Sequence, residues 1–203
     1  MYQPFIDDPE HLARLDGQRF VVLRPTGGVA QGYTRVRTLI QSELAHLPVS
    51  YPAQPHVTLA GFAEGTHVDA VRALVAEWAP TVAPLRVELE SVGFFPSPFQ
   101  IVFVQVHKTP ELFDALSSLG ERARWRKLAD VATIAPADWI FHMSVAYCTS
   151  LSEADWLQVT RVVETVNVPP AQCTIREVEI VAFDGGQEHS AGVLALSRGD
   201  APP

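Results

Sequence analysis

The chain of 203 residues is 47% hydrophobic, which is enough to bury the core of one compact domain and excludes a disordered chain. With 23 acidic against 15 basic side chains the formal charge is -8, so a protein that lives by non-specific grip on duplex DNA is disfavoured. Cys148 and Cys173 are the only cysteines and lie outside any C-x-x-C pattern, so both are read as buried packing residues of a protein from a reducing compartment.

In chain order, "MYQPFIDDPEHLARLDG" is acidic, lacks the basic-then-apolar order of a signal peptide, and is taken as an N-terminal extension over residues 1–17. No apolar run approaches bilayer length, so no membrane association is expected and the location is read as cytoplasmic. "FVVLR" (20–24) is a short buried strand ending at Pro25, followed by a glycine loop, "PTGG". From Tyr33 the apolar positions Val36, Ile40, Leu44 and Leu47 step by three and four, which predicts a helix. "HVTLAGF" (56–62) is the next strand. Thr66, with Asp69 three residues on, predicts a capped helix with Val68, Val71, Val75 and Trp78 as its stripe. "LRVELESVGFF" (85–95) is a strand that ends at Pro96.

The order then repeats. "QIVFVQV" (100–106) is a strand, Thr109-Pro110-Glu111 opens a helix through Leu112, Leu116, Leu119 and Ala123, and "FHMSVAY" (141–147) is a second histidine strand. Ser152 and Asp155 open a further helix with stripe Trp156, Val159, Val163 and Val166. "CTIREVEIVAF" (173–183) is expected as one strand, paired through a turn at "DGGQ" with "AGVLALS". "SRGDAPP" ends the chain, with 199–203 a frayed tail.

Strand, helix, histidine strand, helix, strand thus occurs twice. Neither copy can bury its apolar face alone, so the expected fold is α+β. It is a single bilobal domain over 18–198, with quasi-symmetric lobe units at about 18–96 and 99–198, antiparallel sheets plus helices, and a central cleft. Side chains alternate along a strand, so His56 and Thr58 share one face, as do His142 and Ser144. The two pairs would face each other across the cleft. Two imidazoles titrating near neutrality suit phosphodiester chemistry, one accepting a proton while the other donates. The two hydroxyls would bind the non-bridging oxygens. A single H-x-[ST] is weak; two on equivalent strands point to a shared site.

These motifs, His56-Val57-Thr58-Leu59 and His142-Met143-Ser144-Val145, resemble those of the two-histidine (2H) phosphoesterase superfamily, in particular its bacterial 2′-5′ RNA ligase and cyclic phosphodiesterase branch. "VGFFPSPFQIVFVQV" is also similar to the family's stretch between lobes, and the element order matches over about residues 18–198. The resemblance implies a cofactor-free, metal-independent phosphoesterase acting on a nucleotide or RNA end. The reacting group would be a 2′,3′- or 1″,2″-cyclic phosphate or a 2′-5′ linkage, with His56 and His142 as acid and base and Thr58 and Ser144 on the phosphate. Some members carry a basic residue just after a motif; here "AGF" and "AYC" follow, which argues against recognition of a long RNA backbone. Phe62 and Phe95 are candidates to stack a base, and Arg24 to meet the substrate.

Other readings stay open at this stage. A zinc site built from His56, His142 and an acidic ligand would be a different enzyme, and Cys148 shares the nominal parity of His142. His11, His46, His67, His107 and His189 show no metal-ligand spacing. Arg122, Arg124, Arg126 and Lys127 read as the solvated end of a helix, where positive charge complements the dipole. The alternative function is a non-catalytic module, a monomer like the enzyme, that binds nucleotide or RNA ends in the same cleft.

Overall fold

The computed structural model describes residues 9–52, 54–128, 134–148 and 151–197. The tail expected at 199–203 and residues 1–8 of the extension lie outside these. Along the chain come α1 (Pro9–Leu15), β1 (Arg19–Leu23), α2 (Gly27–Glu43), β2 (Val57–Phe62), α3 (Val68–Trp78), β3 (Leu85–Phe95) and β4 (Ile101–Val106). They continue as α4 (Pro110–Trp125), β5 (His142–Tyr147), α5 (Glu153–Thr165), β6 (Gln172–Ile175), β7 (Glu177–Asp184) and β8 (Gln187–Ala195). The fold is α+β, as the duplicated pattern predicts. Among the described residues no helix is long and apolar enough to cross a membrane.

Two antiparallel four-stranded sheets carry the domain, ordered β2-β1-β7-β8 and β5-β4-β3-β6. The repeat units along the chain are therefore exchanged in space: β3 of the first unit lies in the sheet of β4 and β5, while β7 of the second lies beside β1. The first helices are exchanged as well. α2 packs on β5, β6 and β3, whereas α4 packs on β2 as well as β3. Gly32 allows α2 to approach β3 closely, because a Cβ there would meet Leu89 Cδ1 at 2.6 Å. The exchange joins both sheets through one helix-side core, in which Val21, Leu23, Tyr33, Trp78, Val104 and Val145 are all buried.

The segment "CTIREVEIVAF" is two strands rather than one. β6 pairs with β3, the chain passes Arg176, and β7 pairs with β1 and β8 in the other sheet. Its unbroken β-branched pattern is equally good in either sheet, so sequence gives no sign of the crossing. α2 begins at Gly27, earlier than expected, because Val29 extends the buried stripe Tyr33, Val36, Ile40 by one turn. Thr66 does not cap α3. Its N–H is used in a turn to the Ala63 carbonyl at 3.1 Å, and His67 occupies the N-cap position without a side-chain bond. The other two caps form as expected: Thr109 Oγ1 accepts from Leu112 N and Ser152 Oγ from Asp155 N, both at 3.2 Å, each stabilising its helix by about 1 kcal/mol.

Candidate active site

Both histidine strands carry the same irregularity. Along β1 and β2, Val22 pairs with Thr58 but Val21 with Ala60, which leaves Leu59 as the extra residue of a bulge. Along β4 and β5, Phe103 pairs with Ser144 but Val102 with Ala146, which leaves Val145 extra. A bulge sends the residues beyond it to the opposite face. His56 and Thr58, like His142 and Ser144, therefore point into the cleft, while Ala60 and Ala146 turn to the helix-side core.

Two readings change with the bulges, and one residue is gained. Phe62, expected against a base, is 1% exposed and packs in the helix-side core, because the bulge at Leu59 turns it away from the cleft. Cys148 does not share the face of His142: it is buried in the same core, where burial pushes its thiol up to about 12. Tyr147 takes the cleft position instead and packs beside Val22, Val181 and Phe183. Alternation alone cannot find Tyr147; only the paired bulges bring it to the cleft.

The two imidazoles feel the backbone in a like way. His142 Nδ1 lies 2.8 Å from the carbonyl oxygen of Ile140, two residues earlier, and the Gln54 backbone, also two residues earlier, acts on His56 in the same sense, favouring its charged form. A backbone carbonyl accepts from Nδ1–H of His142, so Nε2 is the ring nitrogen left to exchange a proton. β2 and β5 touch across the two sheets, and the His142 charge is felt at His56. Burial first, then the charges of His142 and Arg24, push His56 down to about 3, against the raising effect of the Gln54 bond. His142 is also lowered by burial, with the Ile140 bond opposing.

The surroundings of the two differ. Phe95, an expected cleft residue, stands edge-on to His142 with ring centroids 4.9 Å apart, and Phe103 lies 5.3 Å from the same imidazole. Gly93 makes room for that pair, since a Cβ there would meet the Phe103 ring at 2.9 Å. The Ser144 side chain is hydrogen-bonded to Tyr147, whose own hydroxyl burial pushes up to about 12. From the outer side, Tyr33 Oη donates to the Ser144 carbonyl at 2.8 Å and pins the motif backbone. Arg24, the third expected contact residue, ion-pairs with Glu179 and hydrogen-bonds Gln54 Oε1 beside His56. Among the described residues no three His, Cys, Asp or Glu side chains converge as a metal-ligand group.

A cavity of about 130 Å³ opens beside His56 and Thr58, and its walls include His11 and Leu15 of α1 as well as Tyr147. α1 thus lies against the cleft.

A family model described as the 2′-5′ RNA ligase superfamily matches residues 25–187. No match was found among curated protein sequences. Among solved structures, TT0787 of Thermus thermophilus is similar with a TM-score of 0.64 at 16% identity, covering 90% of this chain and 99% of that one. E. coli LigT complexed with NADP+ gives 0.57 at 15% identity, with 90% and 98% covered. Kluyveromyces marxianus Usb1 gives 0.54 at 11% identity, again with 90% and 98% covered. LigT is also known complexed with 3′-AMP.

Proposed function

The chain belongs to the 2′-5′ RNA ligase superfamily of two-histidine phosphoesterases, and from that premise we propose that it opens a cyclic phosphate, or breaks a 2′-5′ linkage, at a nucleotide or RNA end without a metal. The observation that carries this reading is the pair of imidazoles at the start of equivalent bulged strands, each followed two residues on by a hydroxyl on the same face. LigT binds 3′-AMP and NADP+, ligands of the same chemical class.

The difference between the histidines supports a division of labour. His56, on which the charges of His142 and Arg24 add to burial in favouring the neutral form, acts as the base: it takes a proton from water as the water oxygen bonds to phosphorus. His142, lowered by burial alone and held toward its charged form by the Ile140 bond, acts as the acid and protonates the departing ribose oxygen as its bond to phosphorus breaks. For a 2′,3′-cyclic phosphate the product is a phosphomonoester beside a free hydroxyl. Thr58 and Ser144 donate hydrogen bonds to the non-bridging oxygens, whose charge grows in the transition state. Tyr147 positions the Ser144 hydroxyl for that role. The same groups in reverse order would join ends.

The test is to incubate the protein in EDTA with the four nucleoside 2′,3′-cyclic phosphates and ADP-ribose 1″,2″-cyclic phosphate, beside His56→Ala and His142→Ala. Ring opening that needs both histidines is expected. Turnover that survives either substitution would sink the assignment, and ligand binding with no turnover in any form would favour a non-catalytic binding module.

A further inference from the structure

We propose that α1 sets the size of the substrate: it fills the part of the cleft floored by β1 and β7, so the site accepts a mononucleotide-sized end and excludes a strand running over that sheet. This rests on the reading of the cleft as a nucleotide phosphate site. The apolar floor there consists of Val22, Val181 and Phe183, at 1%, 0% and 3% exposure, and Leu12 and Leu15 of α1 pack directly on it. His11 adds an imidazole edge-on to Tyr147, with ring centroids 4.2 Å apart. The space left beside His56 is about 130 Å³, whereas a pocket that engulfs a drug-sized ligand needs about 300 Å³ or more.

The placement of α1 is built into the chain. Gly17 has φ +79, and a Cβ on it would meet Glu64 Cγ at 2.6 Å, so a tight reversal there suits glycine alone. Gly17 N donates to the Phe183 carbonyl at 2.7 Å, and Asp16 Oδ1 accepts from Gly186 N at 3.2 Å. Arg19 then clamps the same corner through the Phe183 carbonyl and Asp184. Three attachments at one turn fold α1 back over the cleft instead of letting it leave the domain. Across the cleft the floor is different: Phe95 is half-buried and Ser91 exposed, so the open side of the site lies over β3.

The test compares the full-length protein with the Leu12→Glu, Leu15→Glu double variant, and with Leu12→Ala, Leu15→Ala should the charges unfold it. Carbethoxylation of His56 by diethylpyrocarbonate is followed by peptide mass spectrometry while adenosine 2′-phosphate or a decaribonucleotide ending in a 2′-phosphate is titrated in. In the wild type the mononucleotide is expected to protect His56 at a concentration at least tenfold below the decamer, and the variant should lose most of that ratio. Equal protection by both ligands in the wild type, a ratio the variant leaves unchanged, or no protection in any form overturns the proposal. Hydrolysis of the matching cyclic phosphates is measured in parallel. If the protection ratio behaves as expected without any turnover, the catalytic reading fails and the size selection stands.

Discussion

The two halves of the cleft share a plan and differ in their neighbours. Each has a histidine at or just before the start of its strand, a hydroxyl two residues on, a bulge beyond that, and a backbone group two residues earlier that favours the charged imidazole. Around His56 the wall mixes aliphatic and aromatic side chains, among them Val22, Val181, Phe20 and Phe183, is closed by α1, and carries the Arg24 guanidinium with Glu179 as its partner. Around His142 the wall is aromatic, and Gln105, the residue paired with His142 in the ladder, is neutral and bonded to Glu90. Duplication supplies two like groups whose surroundings have diverged: the charges of His142 and Arg24 act on His56 beside burial, while burial alone lowers His142 against the Ile140 bond. On the proposed mechanism that difference would divide base from acid.

The largest expected effect breaks the symmetry outright. His56→Ala and His142→Ala should each lower kcat by about 10²–10⁴-fold. With a p-nitrophenyl phosphodiester, whose leaving group needs no proton, only the His142 variant should recover; equal recovery by both would reverse or dissolve the assignment.

Next is the cost of keeping His56 neutral. The unfolded chain protonates this imidazole near pH 6.5 and the folded one only at about 3. Folding stability should therefore be intact above pH 6.5 and fall as pH drops below it, by up to about 1.4 kcal/mol per pH unit from this group. Urea titrations between pH 7 and 5 should show that slope, and His56→Asn should flatten it more than any substitution on the β5 side of the cleft except His142. Because His142 must be protonated and is also lowered, kcat/KM should be bell-shaped, with its alkaline limb beginning below pH 6.5.

A smaller change separates Ser144 from Thr58. Tyr147→Phe removes the hydrogen bond to Ser144 and should lower kcat about tenfold, while the fold and the His56 pH limb stay as they are. An unchanged kcat would make Tyr147 a packing residue. Smallest of all, Arg24→Gln removes a cation that helps hold His56 down, so the acid limb of kcat/KM should move to higher pH by less than about 1 unit. A move to lower pH would show that the guanidinium does not act on His56.

Much of this molecule is written locally. β3 runs over Leu85–Phe95, the span expected from alternation in its first half and the stop at Pro96, and Thr109 and Ser152 cap α4 and α5 because their hydroxyls reach the third N–H beyond them whatever the rest of the chain does. The pairing of His56 with Thr58 and His142 with Ser144 on one face follows from the period of a strand, and it survives because both bulges fall beyond the hydroxyls. Beyond those bulges local reasoning stops. Phe62 and Cys148 keep the right parity in sequence and the wrong face in space, and Tyr147 gains the cleft by the same slip. The passage of "CTIREVEIVAF" from one sheet to the other at Arg176 is invisible for a related reason, since its apolar residues suit either layer. Composition, strand period and caps are properties of a few neighbouring residues, so the sequence alone determined the α+β class, the duplication and the four candidate groups. The exchange of strands, the return of α1 over the cleft and the unequal settings of the two histidines depend on contacts between residues far apart in the chain, and only tertiary packing decided those.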